Sequence, residues 1–554
     1  MRFLLFLGLL AFLFPSPAFS ADDASGLPVT SELVRSACGA CHETDGRGRM
    51  SRISYQRKTP EGWQITVKRM IRTGRVQAEP AHAKAIVRYL ADHHGLAPSE
   101  ARPTFYAAEK RPVVEKIQDK DLKATCTRCH LGARFLSQRR TPEEWQLLKG
   151  MHLGYFPIVE FQTFRGRVPG WEVGEEGGEA RDSVAPAVTD KKWRVDRVLE
   201  RLAKQYPFET PLWGEFLAKG SDHDLSGRWL LSTYQSGQGL VAGEVTIERS
   251  GDDYVTRAEL ILPNGSLERR EGRAILYAGY TWRGSSHGAA LGEEREVLML
   301  SDDAQELRGR FFRGAFSELG LDVSLKRLGR DLEIAGVWPR ALAAGQTATV
   351  RILGSNFPQS VEPVDLRFGP GVRVREVATR SSNRLDVSIE VDKEAPSGRR
   401  NVRVLRTTAL DVFAVYDRVD YVKVRPEEGL ARLGGVKIPK QVVQFEAVAF
   451  HRGPDGDPLT DDDIELVPVE VRWSLEEYHI RHDDDDLKYV GTIDETGLFT
   501  PNIEGPNPDR GGTNNFGDVW AVATYTPPGA ARLLRGRAHL LVTVPLYAYW
   551  ETFP

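Results

Sequence analysis

The chain has 554 residues, with 74 Lys and Arg set against 77 Asp and Glu for a formal net charge of −3. That length predicts three to five domains, each able to bury a core of its own. Both signs of charge are mixed along the sequence, which excludes the basic field that a nucleic-acid binder needs.

The amino end reads as a secretory leader. Met1-Arg2 precedes a largely apolar run over 3–14, and Ala18-Phe19-Ser20-Ala21 supplies a small-residue cleavage site. Cleavage after Ser20 is expected. The run is too short to span a bilayer and no later stretch approaches that length, so an exported, soluble, periplasmic protein is expected.

All four cysteines fall in two pentapeptides, Cys38-Gly39-Ala40-Cys41-His42 and Cys126-Thr127-Arg128-Cys129-His130. C-x-x-C-H is the attachment signature of c-type haem. Two thiols add across the porphyrin vinyl groups, and the adjacent histidine is held beneath the iron. The alternative use of paired C-x-x-C, a zinc site, would leave both histidines unexplained. Covalent haem attachment occurs outside the bacterial cytoplasm, in keeping with the leader, and with both pairs so used no disulfide is predicted.

The sixth iron ligands emerge from an internal repeat. Thr59-Pro60-Glu61-Gly62-Trp63-Gln64 follows the first motif and Thr141-Pro142-Glu143-Glu144-Trp145-Gln146 the second. Each opens a helix, with Thr as N-cap and Pro at the first helical position. Met70 stands seven residues beyond Trp63, and His152 seven beyond Trp145, two turns up the same helix face. The ungapped match predicts His42/Met70 on one iron and His130/His152 on the other. Met151 competes with His152, since neighbours lie about 100° apart on a helix and only one can face the iron. His82, His93 and His94 compete with Met70, although His93 and His94 also suit a solvated helix end. His/Met ligation raises a c-type potential, so a bis-His second haem would sit lower than the first. Both units close on a short amphipathic helix, over 86–91 and 198–203, and the second carries an insertion of 30 residues. Residues 166–186 hold its Gly/Pro/Glu-rich part, read as a loop over the haem edge or toward a partner.

Past 221 the pattern changes to short alternating runs separated by turn residues. Residues 225–328, with Asn264-Gly265 among the turns, suggest an up-and-down barrel or a sandwich. Within 332–426, the run 348–357 resembles a strand and turn of immunoglobulin-like domains. A third β region runs from 428 to the end, with 470–475 as one strand. The acidic run 483–486 reads as a solvated turn, with calcium the minority alternative, and His479 and His482 as exposed strand-end residues. Asp222-His223-Asp224 reads as a capping feature in a linker. No phosphate loop, dinucleotide fingerprint, H-E-x-x-H or G-x-S-x-G occurs, so iron is the redox chemistry in view.

The fold expected is therefore multidomain α plus all-β. A signal peptide over 1–20 precedes a helical diheme cytochrome c domain over 21–220, in tandem units of about 28–105 and 112–218. A β-barrel-like domain over 221–331, an immunoglobulin-like β-sandwich over 332–427 and a sandwich-like C-terminal β domain over 428–554 follow.

This combination, with the stretch Gly497-Leu498-Phe499-Thr500-Pro501, resembles the alpha subunit of quinohemoprotein amine dehydrogenase, over nearly the whole chain. The resemblance implies a periplasmic complex in which primary amines are oxidised at a cysteine tryptophylquinone of a small gamma subunit, alongside a propeller-like beta subunit. The alpha subunit would pass electrons through two covalent haems c to a soluble acceptor, a cytochrome c or a blue-copper protein, and would hold no amine-oxidising residues. The resemblance reaches Cys38, Cys41, His42, Cys126, Cys129 and His130 directly, and Met70 and His152 only through the repeat. Two other classes remain: a stand-alone diheme enzyme such as a peroxidase, and the cytochrome subunit of a different dehydrogenase.

Overall fold

The computed structural model describes residues 26–74, 76–166, 192–220, 223–314, 318–435, 437–479, 485–529 and 532–545. The leader and nearly all of the 166–186 stretch lie outside them. The helical region runs α1 (Glu32–Cys38), β1 (Gln56–Lys58), α2 (Pro60–Arg72), α3 (Pro80–His93), α4 (Lys120–Cys126), β2 (Gln138–Arg140), α5 (Pro142–Tyr155), α6 (Arg194–Gln205) and α7 (Pro211–Lys219), with short helical turns between.

The two T-P-E-x-W segments build the same structure twice. Thr59 Oγ1 accepts the Gly62 N–H and Thr141 Oγ1 the Glu144 N–H, each at 3.3 Å, so each Thr is a helix N-cap as its residue type dictates. Trp63 and Trp145 are fully buried. Their indole N–H groups donate to the carbonyls of His94 (2.8 Å) and Tyr206 (3.4 Å). Those residues cap the closing helices α3 and α6, whose buried faces are Ala83, Ile86, Val87 and Leu90 in one and Val195, Val198, Leu199 and Leu202 in the other. Each tryptophan thereby ties the ligand-bearing helix to the closing helix of its own unit.

The two units meet across a local two-fold axis. β1 and β2 pair antiparallel, with Gln56 opposite Arg140, Arg57 opposite Arg139 and Lys58 opposite Gln138. Arg57 and Arg139 are 82 residues apart, as are Thr59 and Thr141. Each unit thus presents one segment to its own copy, the intrachain version of an isologous interface. The surroundings repeat as well. Gln56 Nε2 donates to the Arg52 carbonyl and Gln138 Nε2 to the Arg134 carbonyl. Lys58 sits over the Trp63 ring at 4.7 Å and Arg140 over the Trp145 ring at 5.7 Å.

Near the axis lies Glu100, whose side chain is 1% exposed. Arg57 grips it with Nη1 and Nη2 at 2.7 and 3.1 Å, and Arg139 Nε reaches it at 3.1 Å. The Ala97 N–H and the Thr210 hydroxyl donate to it at 2.9 Å each. Burial alone would push this carboxyl up, but the Arg57 hydrogen bond and the charges of Arg57 and Arg139 hold it below the usual carboxylate range.

The β domains are mainly antiparallel, as the alternating runs lead one to expect, although Ala341–Ala343 pairs in parallel with Thr407–Tyr416 and Glu428–Arg432 with Leu534–Thr543. Eight strands, β3 (Gly227–Gln235), β4 (Gly239–Ser250), β5 (Asp253–Ile261), β6 (Leu267–Tyr277), β7 (Thr281–Gly288), β8 (Gly292–Leu300), β9 (Glu306–Arg313) and β10 (Glu318–Arg327), follow one another round a barrel that closes between β10 and β3. Asn264-Gly265 turns the β5–β6 hairpin, with Gly265 at φ +87°. Trp229, Trp282, Leu231 and Phe311 fill the barrel, and a cavity of about 20 Å³ lined by Arg270, Ser286 and Glu296 has room for a water and little else.

Residues 331–417 form two facing four-stranded sheets around Val350, Ile352, Val387, Val402 and Phe413. In the 348–357 run the strand Thr347–Ser355 ends at Asn356, whose positive φ of 59° is stabilised by side-chain donation to the Gly329 and Asp331 carbonyls at 3.2 and 2.7 Å. The C-terminal region contributes three further sheets, one including the strand Arg472–Glu477. Gly497, at φ +81°, makes the turn before Leu498–Pro501.

The helical region is mounted on the barrel by specific contacts. Leu96 and Ala101 belong to the barrel core cluster. Glu61 pairs with Arg283 at 2.6 Å and Arg88 with Asp253 at 2.8 Å, while the Tyr280 hydroxyl donates to the Leu96 carbonyl at 2.9 Å. The barrel in turn shares a small apolar cluster, Ala242, Ile261 and Leu353, with the sandwich. No helix among the described residues is long and apolar enough to cross a membrane.

Candidate haem-binding sites

Each C-x-x-C-H begins on the last residue of a short helix, Cys38 on α1 and Cys126 on α4. Ser31 caps the first helix on the Val34 N–H, and Asp119 the second on the Leu122 N–H. The chain beyond stays coiled: the His42 N–H donates to the Cys38 carbonyl at 3.0 Å. Cys38 and Cys126 are half-buried while Cys41 and Cys129 are exposed, and all four are unpaired thiols. Burial raises the Cys38 thiol and pushes Cys126 up to about 12. Among the described residues no group of three or more His, Cys, Asp or Glu is arranged to hold a metal ion, so the two C-x-x-C pairs do not assemble a zinc site.

The histidines are set for ligation. His42 Nδ1 lies 2.8 Å from the Ser51 carbonyl, and His130 Nδ1 lies 3.1 Å from the Leu131 carbonyl. A ring whose Nδ1–H is anchored to a carbonyl offers its Nε2 lone pair outward, the arrangement that orients metal-bound imidazoles. His152, in α5, has its Nδ1 at 2.9 Å from the Leu148 carbonyl and the same Nε2 to offer. Burial, as the largest influence, holds His130 and His152 below the usual imidazole range, and the positive charge of His152 adds to the lowering of His130. Neutral imidazoles are the form that metals take. The structure thus brings His130 and His152 into one neighbourhood, bounded by Phe135 at 6.3 Å from the His130 ring and Phe164 at 5.8 Å from the His152 ring.

Met70 is half-buried in the last turn of α2, at the position matching His152 in α5. Met151 is half-buried as well, so burial does not separate it from His152. His82 and His93 are exposed. His94 departs from the solvated helix end expected of it: its residue is fully buried, its ring meets Trp63 edge-on at 6.3 Å, and burial lowers it to about 4. Its carbonyl is the Trp63 acceptor, so closing the unit draws it inward.

The residues present fit a porphyrin: two thiols and an outward-facing imidazole in each motif, a second imidazole beside His130, and exposed apolar side chains, Leu131, Phe156, Ile158 and Phe161, around the second motif. Elsewhere, Asp224 accepts the Ser226 N–H at 2.9 Å ahead of β3, a turn-capping role, while Asp222 lies outside the described residues. Asp486 corrects the reading of the acidic run. It is buried, paired with Arg510 at 2.7 Å and accepting the Asp518 N–H at 3.0 Å, because it closes the packing of its own domain. Asp483, Asp484 and His482 lie outside the described residues, and His479 is exposed.

Comparison with known families matches four consecutive parts of the chain. Residues 29–196 match "Quinohemoprotein amine dehydrogenase A, alpha subunit, haem binding", and residues 222–328, 331–417 and 422–552 match domains II, III and IV of the same alpha subunit. No curated protein matches. Among solved structures, a redesigned beta barrel is 18% identical over 19% of this chain and 92% of its own, with a TM-score of 0.17. A de novo designed fluorescence-activating beta barrel is 16% identical over 19% and 94%, at 0.16. Domains 4–9 of the surface layer protein SbsC are 9% identical over 54% and 47%, also at 0.16. With its haem-binding region and three β domains matched in order, the chain belongs to the quinohemoprotein amine dehydrogenase alpha-subunit family, a component of an oxidoreductase complex.

Proposed function

We propose that this chain is the diheme electron-transfer subunit of a periplasmic quinohemoprotein amine dehydrogenase. It takes electrons from the quinone cofactor of a partner subunit, a cysteine tryptophylquinone that oxidises primary amines, and delivers them to a soluble cytochrome c or blue-copper protein. The observation that carries this reading is the pair of C-x-x-C-H motifs within the matched haem-binding region, each at a helix end with its histidine Nδ1 tied to a backbone carbonyl. When bound, haem supplies one-electron storage at iron.

Everything else is done by the chain. Cys38 and Cys41, and Cys126 and Cys129, would hold the two porphyrins, and His42, His130, Met70 and His152 would serve as ligands to their irons. The buried tryptophans hold α2 and α5, and the paired β1 and β2 keep the two sites at a fixed separation. A relay needs that rigidity, because electrons are handed over without rearranging the protein. With all four cysteines committed, none remains to crosslink a tryptophan, so the quinone resides in the partner. The leader over 1–20 supports export, and the beta and gamma subunits are the partners this reading requires.

The exported protein is expected to give two haems per chain by pyridine haemochrome and a mass above the bare polypeptide by both. Replacing Cys126 and Cys129 with Ala should leave one haem and abolish electron delivery to the acceptor, with the first site still loaded. Absence of haem in the wild-type protein would end the proposal. Uptake of cyanide by an oxidised iron together with turnover of hydrogen peroxide would replace it with a diheme peroxidase.

A further inference from the structure

The two motif histidines are anchored differently, and the difference leads to a residue outside both motifs. His42 Nδ1 lies on the Ser51 carbonyl, nine residues further along the chain. His130 Nδ1 lies on the carbonyl of its own neighbour, Leu131, at 3.1 Å. That carbonyl and the Gly132 N–H are the two ends of one peptide group. Whatever holds the N–H therefore also acts on the acceptor of His130.

The N–H is held by Glu115, seventeen residues earlier. Gly132 donates to Glu115 Oε2 at 2.5 Å and Ala133 to Oε1 at 2.9 Å, so two consecutive amides share one half-buried carboxylate. The residue type at 132 is what permits the approach. A Cβ there would come within 2.6 Å of Ile117 Cδ1 and 3.0 Å of Glu115 Oε2. Gly132 and Ala133 are buried, so their amides need a partner from the chain itself. Glu115 is steadied in turn from the end of the first unit, where the Tyr106 hydroxyl donates to Oε1 at 2.5 Å.

An unbroken line results: Tyr106 hydroxyl, Glu115 carboxylate, Leu131–Gly132 peptide, His130 ring. Hydrogen bonds in such a line polarise one another. A carboxylate, ionised at neutral pH, on the N–H makes the Leu131 carbonyl a stronger acceptor. The carbonyl then draws on the Nδ1–H of His130, and Nε2 becomes more basic. Carboxylates that touch a ligating histidine directly act in the same sense; here one peptide stands between.

We propose that Glu115 is a positioning residue for the second iron: through the Leu131–Gly132 peptide it fixes the His130 ring and strengthens Nε2 as a donor. This rests on the diheme reading above. A stronger donor favours the oxidised iron, so Glu115 lowers the midpoint of the second haem and leaves the first untouched. The Tyr106 hydroxyl draws charge from the same carboxylate and moderates the effect.

The test uses the full-length holoprotein with Glu115→Gln, which keeps an oxygen for the Gly132 N–H and removes the charge. Pyridine haemochrome should still give two haems. Potentiometric titration should show one midpoint shifted upward and the other unmoved. Electron paramagnetic resonance of the oxidised protein should show the g values of one low-spin haem displaced. Tyr106→Phe, which leaves the charge and takes away its donor, should move the same midpoint and g values the opposite way. With two haems present, unchanged g values overturn the inference, since a midpoint shift without them is the through-space effect of the charge alone. Equal movement of both haems, or movement of the same sign in the two variants, overturns it too. Should Glu115→Gln fail to bind two haems, Tyr106→Phe decides by the same readouts. Wild-type protein without haem would instead remove the functional reading on which the inference stands.

Discussion

Glu100→Gln should destabilise the helical domain by about 3 kcal/mol, because removing one partner of a buried ion pair leaves uncompensated charge behind. Here two guanidiniums are left. Arg57 and Arg139 come from equivalent positions of the two units and converge on this one carboxylate. Arg57 is fully buried and Arg139 nearly so, and neither can be hydrated without opening the β1–β2 contact. The variant should therefore unfold at lower denaturant concentration in the transition reported by haem-domain absorbance, with the barrel transition unaltered. A change below about 1 kcal/mol, the scale of an exposed pair, would show that the axis is held by something else.

The pH dependence has a definite sign. The folded carboxyl of Glu100 is held below the usual range, so it binds a proton less readily folded than unfolded. Its contribution is present in full above the unfolded value of about 4.3 and is lost as the pH falls through the lowered folded value. Wild type and Glu100→Gln should differ most near neutrality and converge in acid.

How much of this was legible in the sequence depends on the range of the interaction. The T-P-E-x-W caps, the Asn264-Gly265 hairpin and the turn at Asn356 are local chemistry, in which a few adjacent residues determine their own geometry. The barrel and the sandwich show in alternation because each strand has one face in a core. The contact between the two units does not show. Gln56-Arg57-Lys58 and Gln138-Arg139-Arg140 have no apolar alternation and read as polar linkers, and Glu100, their shared counter-ion, lies far from either along the chain. His94 and Asp486 were misjudged for the same reason. A polar residue at a helix end or in an acidic run looks solvated until a distant partner, Trp63 or Arg510, is folded against it. The repeat itself held the clue: equivalent basic segments ahead of equivalent helices are candidates to meet across an axis.

Exchanging the sixth ligands should produce the largest functional change. Axial ligation spans roughly 0.8 V in haem proteins, and thioether sulfur favours the reduced iron more than imidazole does. Met70→His should therefore lower the first haem's midpoint, and His152→Met should raise the second's, each by on the order of 0.1–0.2 V of that range. Under the proposed ligation His152 is the residue to exchange. Its Nδ1–H is committed to the Leu148 carbonyl at 2.9 Å, which fixes the ring and leaves Nε2 as the free donor, whereas the neighbouring Met151 has no such anchor. Spectroelectrochemistry of the single variants separates the two sites, since each should move one midpoint and leave the other in place. In Met70→His the gap between the haems closes from above, and in His152→Met from below. Either change removes the downhill step between them, so reduction of the acceptor should slow although both haems stay attached. If His152→Met leaves both midpoints in place while Met151→Leu displaces one, the second iron is bound by Met151 and the repeat carries a one-residue gap.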